Sequence, residues 1–123
     1  PIHLINVIHA AGKKVGVGVG PAYGVECVRY ILPYIDFLNV MSVEPGYGGQ
    51  RFEESVYEKL REAKQMVMAP GLDVRLCVDG GVNTENAPLL AEAGADILIC
   101  GSSAFRNDEV EKNINGLIRG IGG

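Results

Sequence analysis

Three stretches of the sequence carry residue types that could bind a phosphate or move a proton. They are the loop Gly46-Tyr47-Gly48-Gly49, the segment Asp79-Gly80-Gly81 and the pair Gly101-Ser102. Consecutive glycines let backbone N–H groups approach an anion closely, and a carboxylate beside them could act as a general acid or base. Each stretch also has an ordinary interpretation, because a Gly-Gly pair is commonly a tight turn and an aspartate after a strand is commonly a turn former or a helix N-cap. Their chemistry therefore depends on whether the fold brings them together.

Each of these stretches comes shortly after an apolar run, and such runs alternate with helical patterns along the chain. The runs predicted as strands are 15–20, 37–43, 74–78 and 95–100. The segments predicted as helices are 2–11, 25–32, 52–68, 84–93 and 108–119, with Gly12, Pro33 and Gly94 as helix ends. This order predicts parallel strands with right-handed helical crossovers and both faces of the sheet covered.

Two architectures fit this order of elements: an open doubly wound sheet, or part of a (β/α)8 barrel. In both, ligands bind at the C-terminal ends of the parallel strands. We therefore expect the three glycine-containing stretches to lie at one edge of the sheet. No Gly-x-Gly-x-x-Gly pattern follows the first predicted strand, so a dinucleotide site is poorly supported.

Length and composition restrict the function further. The chain has 123 residues, enough for one compact domain, with 47% apolar and 21% charged residues. A net charge of −4 argues against nucleic-acid binding, and the sequence shows neither a membrane-spanning run nor a signal peptide. Cys27, Cys77 and Cys100 form no metal-binding pair, and we interpret them as reduced thiols that pack as small apolar residues in a cytoplasmic protein. We interpret His3 and His9, on the first predicted helix, as surface residues.

The order and spacing of these motifs resemble those of the ribulose-phosphate 3-epimerase family. The segment 40–52, Val-Met-Ser-Val-Glu-Pro-Gly-Tyr-Gly-Gly-Gln-Arg-Phe, resembles the family's strand-six loop. Residues 78–82 resemble its strand-seven signature, and residues 93–96 and 101–105 resemble its strand-eight region. The resemblance implies an α/β fold in which residues 1–123 are the C-terminal half of a single (β/α)8 TIM-barrel domain, with four parallel strands and flanking helices.

The resemblance also implies roles for individual residues. Asp79 matches a carboxylate that is both a metal ligand and a proton donor. Met41, which could otherwise be core filler, matches a methionine that lines the pocket beside the reacting carbon. The other implied substrate contacts are the backbone of the strand-six loop and the residues around the phosphate: Gly46, Tyr47, Gly48, Gly49, Gly80, Gly81, Gly101 and Ser102.

The implied activity is that of an isomerase of the pentose phosphate pathway, which interconverts D-ribulose 5-phosphate and D-xylulose 5-phosphate through an enediolate. A divalent cation would stabilise the enediolate, with Zn²⁺ expected and Fe²⁺, Mn²⁺ or Co²⁺ as alternatives. Inversion at C3 needs one acid/base group on each face, and the resemblance implies that Asp79 would supply one of them. The family's other ligands, two histidines and an aspartate, belong to its first half. We therefore expect this chain alone to be inactive.

Two alternatives stay open: an allulose-6-phosphate 3-epimerase, and a non-catalytic sugar-phosphate-binding half-barrel. Gly81 favours the pentulose phosphate, because allulose-phosphate enzymes tend to have another residue in place of the second glycine of the Asp-Gly-Gly motif. The chain departs from the family at Gly20, Asn39 and Cys77, where Asn, an apolar residue and Glu are usual. Strand alternation predicts that all three point into the barrel in one interior layer, with a polar partner near Asn39. The expected partners are a phosphorylated ketose and, by resemblance, further copies of the chain.

Overall fold

The computed structural model describes residues 2–42, 55–101 and 109–120. Its strands pair in parallel, in the order of the sequence, and are β1 Gly16–Val19, β2 Phe37–Met41, β3 Arg75–Asp79 and β4 Ile97–Ile99. Its helices are α1 Ile2–Ala10, a 3-10 helix Val25–Tyr34, α2 Val56–Val67, α3 Ala87–Ala93 and α4 Val110–Gly120. The predicted α/β fold, with four parallel strands and flanking helices, is confirmed.

The helices form one layer on one face of the sheet. In this layer α1 contacts the 3-10 helix, the 3-10 helix contacts α2, α2 contacts α3, and α3 contacts α4. The strand residues that face it alternate along the chain and are almost fully buried, among them Leu38, Val40, Leu76 and Val78 at 0% exposure. Burial of each such side chain contributes roughly 1.5–3 kcal/mol, so this face holds the main core. Helix α2 meets it with one apolar stripe: Val56, Leu60, Ala63, Met66 and Val67.

The opposite face of the sheet is not covered by the described helices. It carries Phe37, Asn39 and Met41 from β2, and Ile99 of β4 is 42% exposed there. The expectation that both faces are covered is therefore not met within the described residues. A doubly wound sheet has helices on both faces, whereas a barrel has them only outside. The single helical layer favours the barrel.

Two aspartates tie neighbouring strands together at their N-terminal ends. Asp36, just before β2, accepts a hydrogen bond from the Val15 N–H at 2.7 Å, and its carboxylate lies 3.1 Å from Nε2 of His9. Asp96, just before β4, accepts a hydrogen bond from the Leu76 N–H at 2.9 Å. The same device therefore joins β1 to β2 and β3 to β4, at the end of the sheet away from the glycine-rich turns.

Asp36 gives a testable pH dependence. The hydrogen bond that the Asp36 carboxylate accepts from the Val15 N–H, and then the one it accepts from His9, hold the pKa of the Asp36 carboxyl below its ordinary value. A carboxyl with a lowered folded-state pKa contributes stability above its unfolded pKa of about 3.9, and that contribution is lost as the pH falls through the folded pKa. We expect Asp36→Asn to lower the urea midpoint at pH 7 and to narrow the difference between the midpoints at pH 7 and pH 3. If the exposed Asp73→Asn has the same two effects, this account of Asp36 is wrong.

The segment before β2 differs from the predicted helix in type and in end. A helix over 25–32 ended by Pro33 was predicted, whereas the 3-10 helix runs from Val25 to Tyr34 and contains Pro33. The Ile35 N–H bonds to the Leu32 carbonyl at 3.4 Å, so the last turn closes across Pro33 without needing the missing proline N–H. The tighter winding also suits the buried pair Val25 and Val28, three residues apart.

The ends of the other helices follow local turn chemistry. Helix α3 begins at Ala87 rather than at Thr84, because the Asn83 side chain accepts hydrogen bonds from the N–H groups of Glu85 and Asn86, both at 2.9 Å. Such side-chain bonds compete with a helical turn. Gly94 ends α3 as predicted, with φ +124°. None of the helices in the described ranges is both long and apolar enough to cross a membrane.

Candidate active site

Met41 and Asp79 lie side by side at the C-terminal ends of β2 and β3. They are partners in the parallel register, and Ile99 of β4 is next in the same row. The row lies on the face without helices, and the Met41 and Asp79 side chains are half-buried. The sulfur of Met41 would lie 3.3 Å from a Cβ at Gly18, so the glycine in β1 leaves room for the thioether. The structure thus brings together the predicted carboxylate and the predicted pocket methionine.

The turn after Asp79 requires its two glycines. Gly80 has φ +105° and Gly81 has φ +68°, conformations that residues with a side chain rarely adopt. The chain therefore bends immediately beyond Asp79, which leaves the Asp79 carboxylate at the C-terminal end of β3. Gly101, which follows β4 and is exposed, lies at the same end of the neighbouring strand. The prediction that these segments share one edge of the sheet is consistent with this geometry.

Two polar residues that sequence reasoning missed hold this turn. Ser42 is fully buried directly after β2, and its hydroxyl donates toward the carbonyls of Asp79, at 2.9 Å, and Gly80. Asn86, 8% exposed, donates from Nδ2 to the Gly81 carbonyl at 2.8 Å. The available signals were weak: a serine after an apolar strand, and an asparagine at the start of a helix.

The remaining predicted site residues lie outside the described part of the chain. They are Gly46, Tyr47, Gly48, Gly49 and Ser102. Their predicted contacts with the substrate stay predictions.

The row below Met41 and Asp79 contains two of the residues that depart from the family. Gly18, Asn39, Cys77 and Ile97 are partners in the register. Asn39 and Cys77 therefore lie in one row on the face without helices, whereas Gly20 lies beyond the end of β1 and Gly18 takes its place in the row. That this row faces the interior of a barrel stays a prediction. Within the described ranges, Asn39 Oδ1 is buried without a hydrogen-bond partner, so the predicted polar partner is not found there. Burial, and then the Asp96 carboxylate, raise the pKa of the Cys77 thiol, which keeps it neutral at pH 7.

The predicted exposure is confirmed for both histidines, whereas the predicted burial is not confirmed for all three cysteines. Cys77 is buried, Cys100 is half-buried, and none of the three cysteines forms a disulfide. The prediction is wrong for Cys27, which is exposed on the 3-10 helix between the buried Val25 and Val28. His3 and His9 are exposed on α1, as predicted. His9 reaches Asp36 at the N-terminal end of the strands and so lies away from Asp79.

The described residues do not by themselves assemble a metal site. Across 2–42, 55–101 and 109–120, no three His, Cys, Asp or Glu side chains are grouped so that they could hold an ion. Asp79 can offer carboxylate oxygens, but one carboxylate falls short of the ligand set of a tight Zn²⁺ site. Any metal would need further ligands from outside these residues.

The parallel sheet, the single layer of described helices and the carboxylate followed by glycines at the C-terminal edge of the sheet are typical of part of an α/β barrel, in which ligands bind at this edge. Residues 1–105 match the profile of the Ribulose-phosphate 3 epimerase family, and the chain belongs to this family. It is 39% identical to the ribulose-phosphate 3-epimerase of Methanocaldococcus jannaschii over 95% of this chain and 50% of that protein. It is 40% identical to the Mycobacterium tuberculosis enzyme over 99% of this chain and 53% of that protein.

A further relative matches the chain in the same way, and one solved structure shares its fold. The ribulose-phosphate 3-epimerase of Bacillus subtilis is 40% identical over 90% of this chain and 52% of that protein. The chain thus spans about half the length of the curated relatives it matches. A thiamine phosphate pyrophosphorylase from Pyrococcus furiosus superposes with a TM-score of 0.51 at 21% identity, over 96% of this chain and 64% of that chain, which shows a shared fold alone.

Proposed function

We propose that residues 1–123 supply the C-terminal half of the active site of an enzyme that interconverts D-ribulose 5-phosphate and D-xylulose 5-phosphate. The observation that carries this proposal is the position of Asp79. Its carboxylate follows β3 directly, stands beside Met41 on the face without helices, and precedes the Gly80-Gly81 turn. The names of the relatives support the same reaction.

Asp79 is the proton carrier of this half. When D-ribulose 5-phosphate reacts, a base on the opposite face removes the C3 proton, and Asp79 delivers a proton to the other face of the enediolate. In the reverse direction Asp79 removes the proton. Inversion follows because the two groups act on opposite faces. The half-buried thioether of Met41, beside Asp79, presents an apolar surface to the reacting carbon and limits the access of water.

The phosphate of the substrate would be bound by backbone N–H groups at the glycine turns. Gly80, Gly81 and Gly101 are at the same edge of the sheet as Asp79, where backbone N–H groups can approach an anion. A divalent cation, Zn²⁺ by family resemblance, would supply Lewis-acid stabilisation of the enediolate oxygens when bound. Asp79 would be one of its ligands, and the others would come from outside the described residues.

The test is an NMR assay in D2O with D-ribulose 5-phosphate and added Zn²⁺. We expect the full-length protein that carries this chain to form D-xylulose 5-phosphate with deuterium at C3. We expect the purified 123-residue chain, whose mass of 13.1 kDa is checked first, to form none. If the full-length protein forms no product with Zn²⁺, Fe²⁺, Mn²⁺ or Co²⁺, the proposed function is wrong. If the pure 13.1 kDa chain is active, the proposal that residues outside it are required for activity is wrong.

A further inference from the structure

We propose that Ser42 and Asn86 are positioning residues that hold the Asp79–Gly81 turn from two sides and so aim the Asp79 carboxylate. The inference rests on the proposed function, since it concerns how Asp79 transfers its proton. Ser42 follows β2 and so precedes the turn in the sequence, whereas Asn86 follows the turn and stands at the start of α3. Both side chains are almost fully buried, at 0% and 8% exposure.

Ser42 makes one backbone hydrogen bond that belongs to the sheet, and side-chain hydrogen bonds that do not. The Ser42 backbone N–H bonds to the Asp79 carbonyl at 2.9 Å and simply extends the ladder between β2 and β3. The hydroxyl donates toward the same carbonyl and toward the carbonyl of Gly80, which lies beyond the strand. A hydroxyl has a single proton and is shared between these two acceptors. Removing it leaves the ladder bond in place but frees the first peptide of the turn.

Asn86 acts on the far side of the turn. Its Nδ2 donates to the Gly81 carbonyl at 2.8 Å, while its Oδ1 accepts the Asn83 N–H at 2.8 Å. One side chain thus fastens the end of the turn to the first residues before α3. Because a buried amide with both ends bonded has little rotational freedom, the position of Gly81 is set by the start of the helix.

Three successive carbonyls, those of residues 79, 80 and 81, therefore bond to buried side chains. All peptide bonds of the described residues are trans, so each carbonyl and the following N–H point in opposite directions. The N–H groups of Gly80, Gly81 and Val82 consequently point away from Ser42 and Asn86. Two glycines with positive φ have many accessible conformations, and the two side chains select one of them. The direction of the Cα–Cβ bond of Asp79, and hence its carboxylate, depends on that selection.

Two substitutions remove the donors with little change in shape. Ser42→Ala deletes the hydroxyl and keeps the backbone bond. Asn86→Asp keeps the acceptor for the Asn83 N–H and deletes the donor to Gly81. The matched controls are Ser55→Ala, at an exposed serine whose side chain makes no cap bond, and Asn83→Asp, which makes the same chemical change but keeps its acceptor oxygens.

The main readout compares conversion with isotope exchange at C3, using the full-length protein that carries this chain. A displacement of about 1 Å can cost a factor of about 100 in rate, so we expect conversion to fall 10- to 100-fold in each variant. Starting from D-ribulose 5-phosphate in D2O, the opposing base still removes the C3 proton, so exchange into the substrate should persist while conversion falls. Starting from D-xylulose 5-phosphate, Asp79 removes the proton, so exchange and conversion should fall together. Both controls should stay within twofold of wild type.

Two outcomes would overturn the inference. The first is that Ser42→Ala and Asn86→Asp convert both sugars at the wild-type rate. The second is that exchange from both sugars falls in proportion to conversion, which would indicate general damage rather than a displaced Asp79. A separate measurement does not depend on activity: the ¹³C carbonyl resonances of Gly80 in Ser42→Ala and of Gly81 in Asn86→Asp should move upfield as a hydrogen bond is lost. If the wild-type protein is inactive, the proposed function is wrong. The carbonyl resonances still test the inference about the turn, because unchanged resonances in both variants would show that Ser42 and Asn86 do not hold it.

Discussion

Asp79→Asn is expected to lower kcat/KM for epimerisation by about 10³-fold or more, in both directions. General acid–base catalysis is worth about 10²–10⁴-fold, and asparagine cannot carry the transferred proton. The substitution keeps the shape of the side chain beside Met41, and it leaves untouched the backbone carbonyl to which Ser42 donates. The loss should therefore appear in kcat rather than in folding. Steady-state kinetics with each sugar phosphate, together with the urea midpoint, measure the two effects separately.

Asp73→Asn is the matched control for this prediction. Asp73 is an exposed carboxylate just before β3, at the opposite end of the strand that carries Asp79. It should retain kcat/KM within twofold of wild type. Activity of Asp79→Asn above a tenth of the wild-type value, with an unchanged urea midpoint, would rule out Asp79 as the proton carrier. Equal losses of kcat/KM in Asp79→Asn and Asp73→Asn would indicate that the change in net charge, rather than the loss of a proton carrier, lowers activity.

Gly94→Ala is expected to lower the free energy of unfolding by about 2–6 kcal/mol. Two effects add at this position. At φ +124° a residue with a Cβ is strained, which costs about 1–3 kcal/mol. In addition, an added Cβ would lie 2.9 Å from Cβ and 3.0 Å from Cγ of Lys64 on α2, and crowding of this kind costs about 1–3 kcal/mol. These atoms are near the backbone of Lys64, so rotation of the side-chain end cannot relieve the contact.

Gly71→Ala separates the two effects on Gly94. Gly71 also has a positive φ, +85°, but a Cβ there would meet no atom within 4 Å. We expect this variant to lose only about 1–2 kcal/mol, which is the conformational cost alone. Chemical denaturation of both variants gives the comparison. A loss at Gly94 no larger than that at Gly71 would contradict close packing between α2 and the end of α3.

The features that were predictable from the sequence are those with a local signature. The alternation of apolar runs with helical patterns gave four parallel strands, and Gly12 and Gly94 marked helix ends because each allows a positive φ. Asp79 was predictable because it directly precedes two glycines after an apolar strand. Its family resemblance then gave it a chemical role.

The features that were not predictable depend on residues far apart in the chain. Ser42 bonds to a carbonyl 37 positions away, and Asp36 accepts a hydrogen bond from an N–H 21 positions away. Neither bond leaves a pattern in the neighbouring residues, since many serines and aspartates end strands without such a role. The layer of Asn39 and Cys77 was predicted from alternation, but its alignment with Gly18 rather than Gly20 required the register between strands.

The two aspartates at the strand starts have a consequence for how this protein can change during evolution. Asp36 and Asp96 anchor the sheet at the end away from Asp79, and their bonds to Val15 and Leu76 involve no residue of the candidate site. Substitutions around the glycine turns can then alter the candidate site while these anchors keep the strands in register. The candidate site can therefore change during evolution without loss of the strand pairing at the opposite end of the sheet.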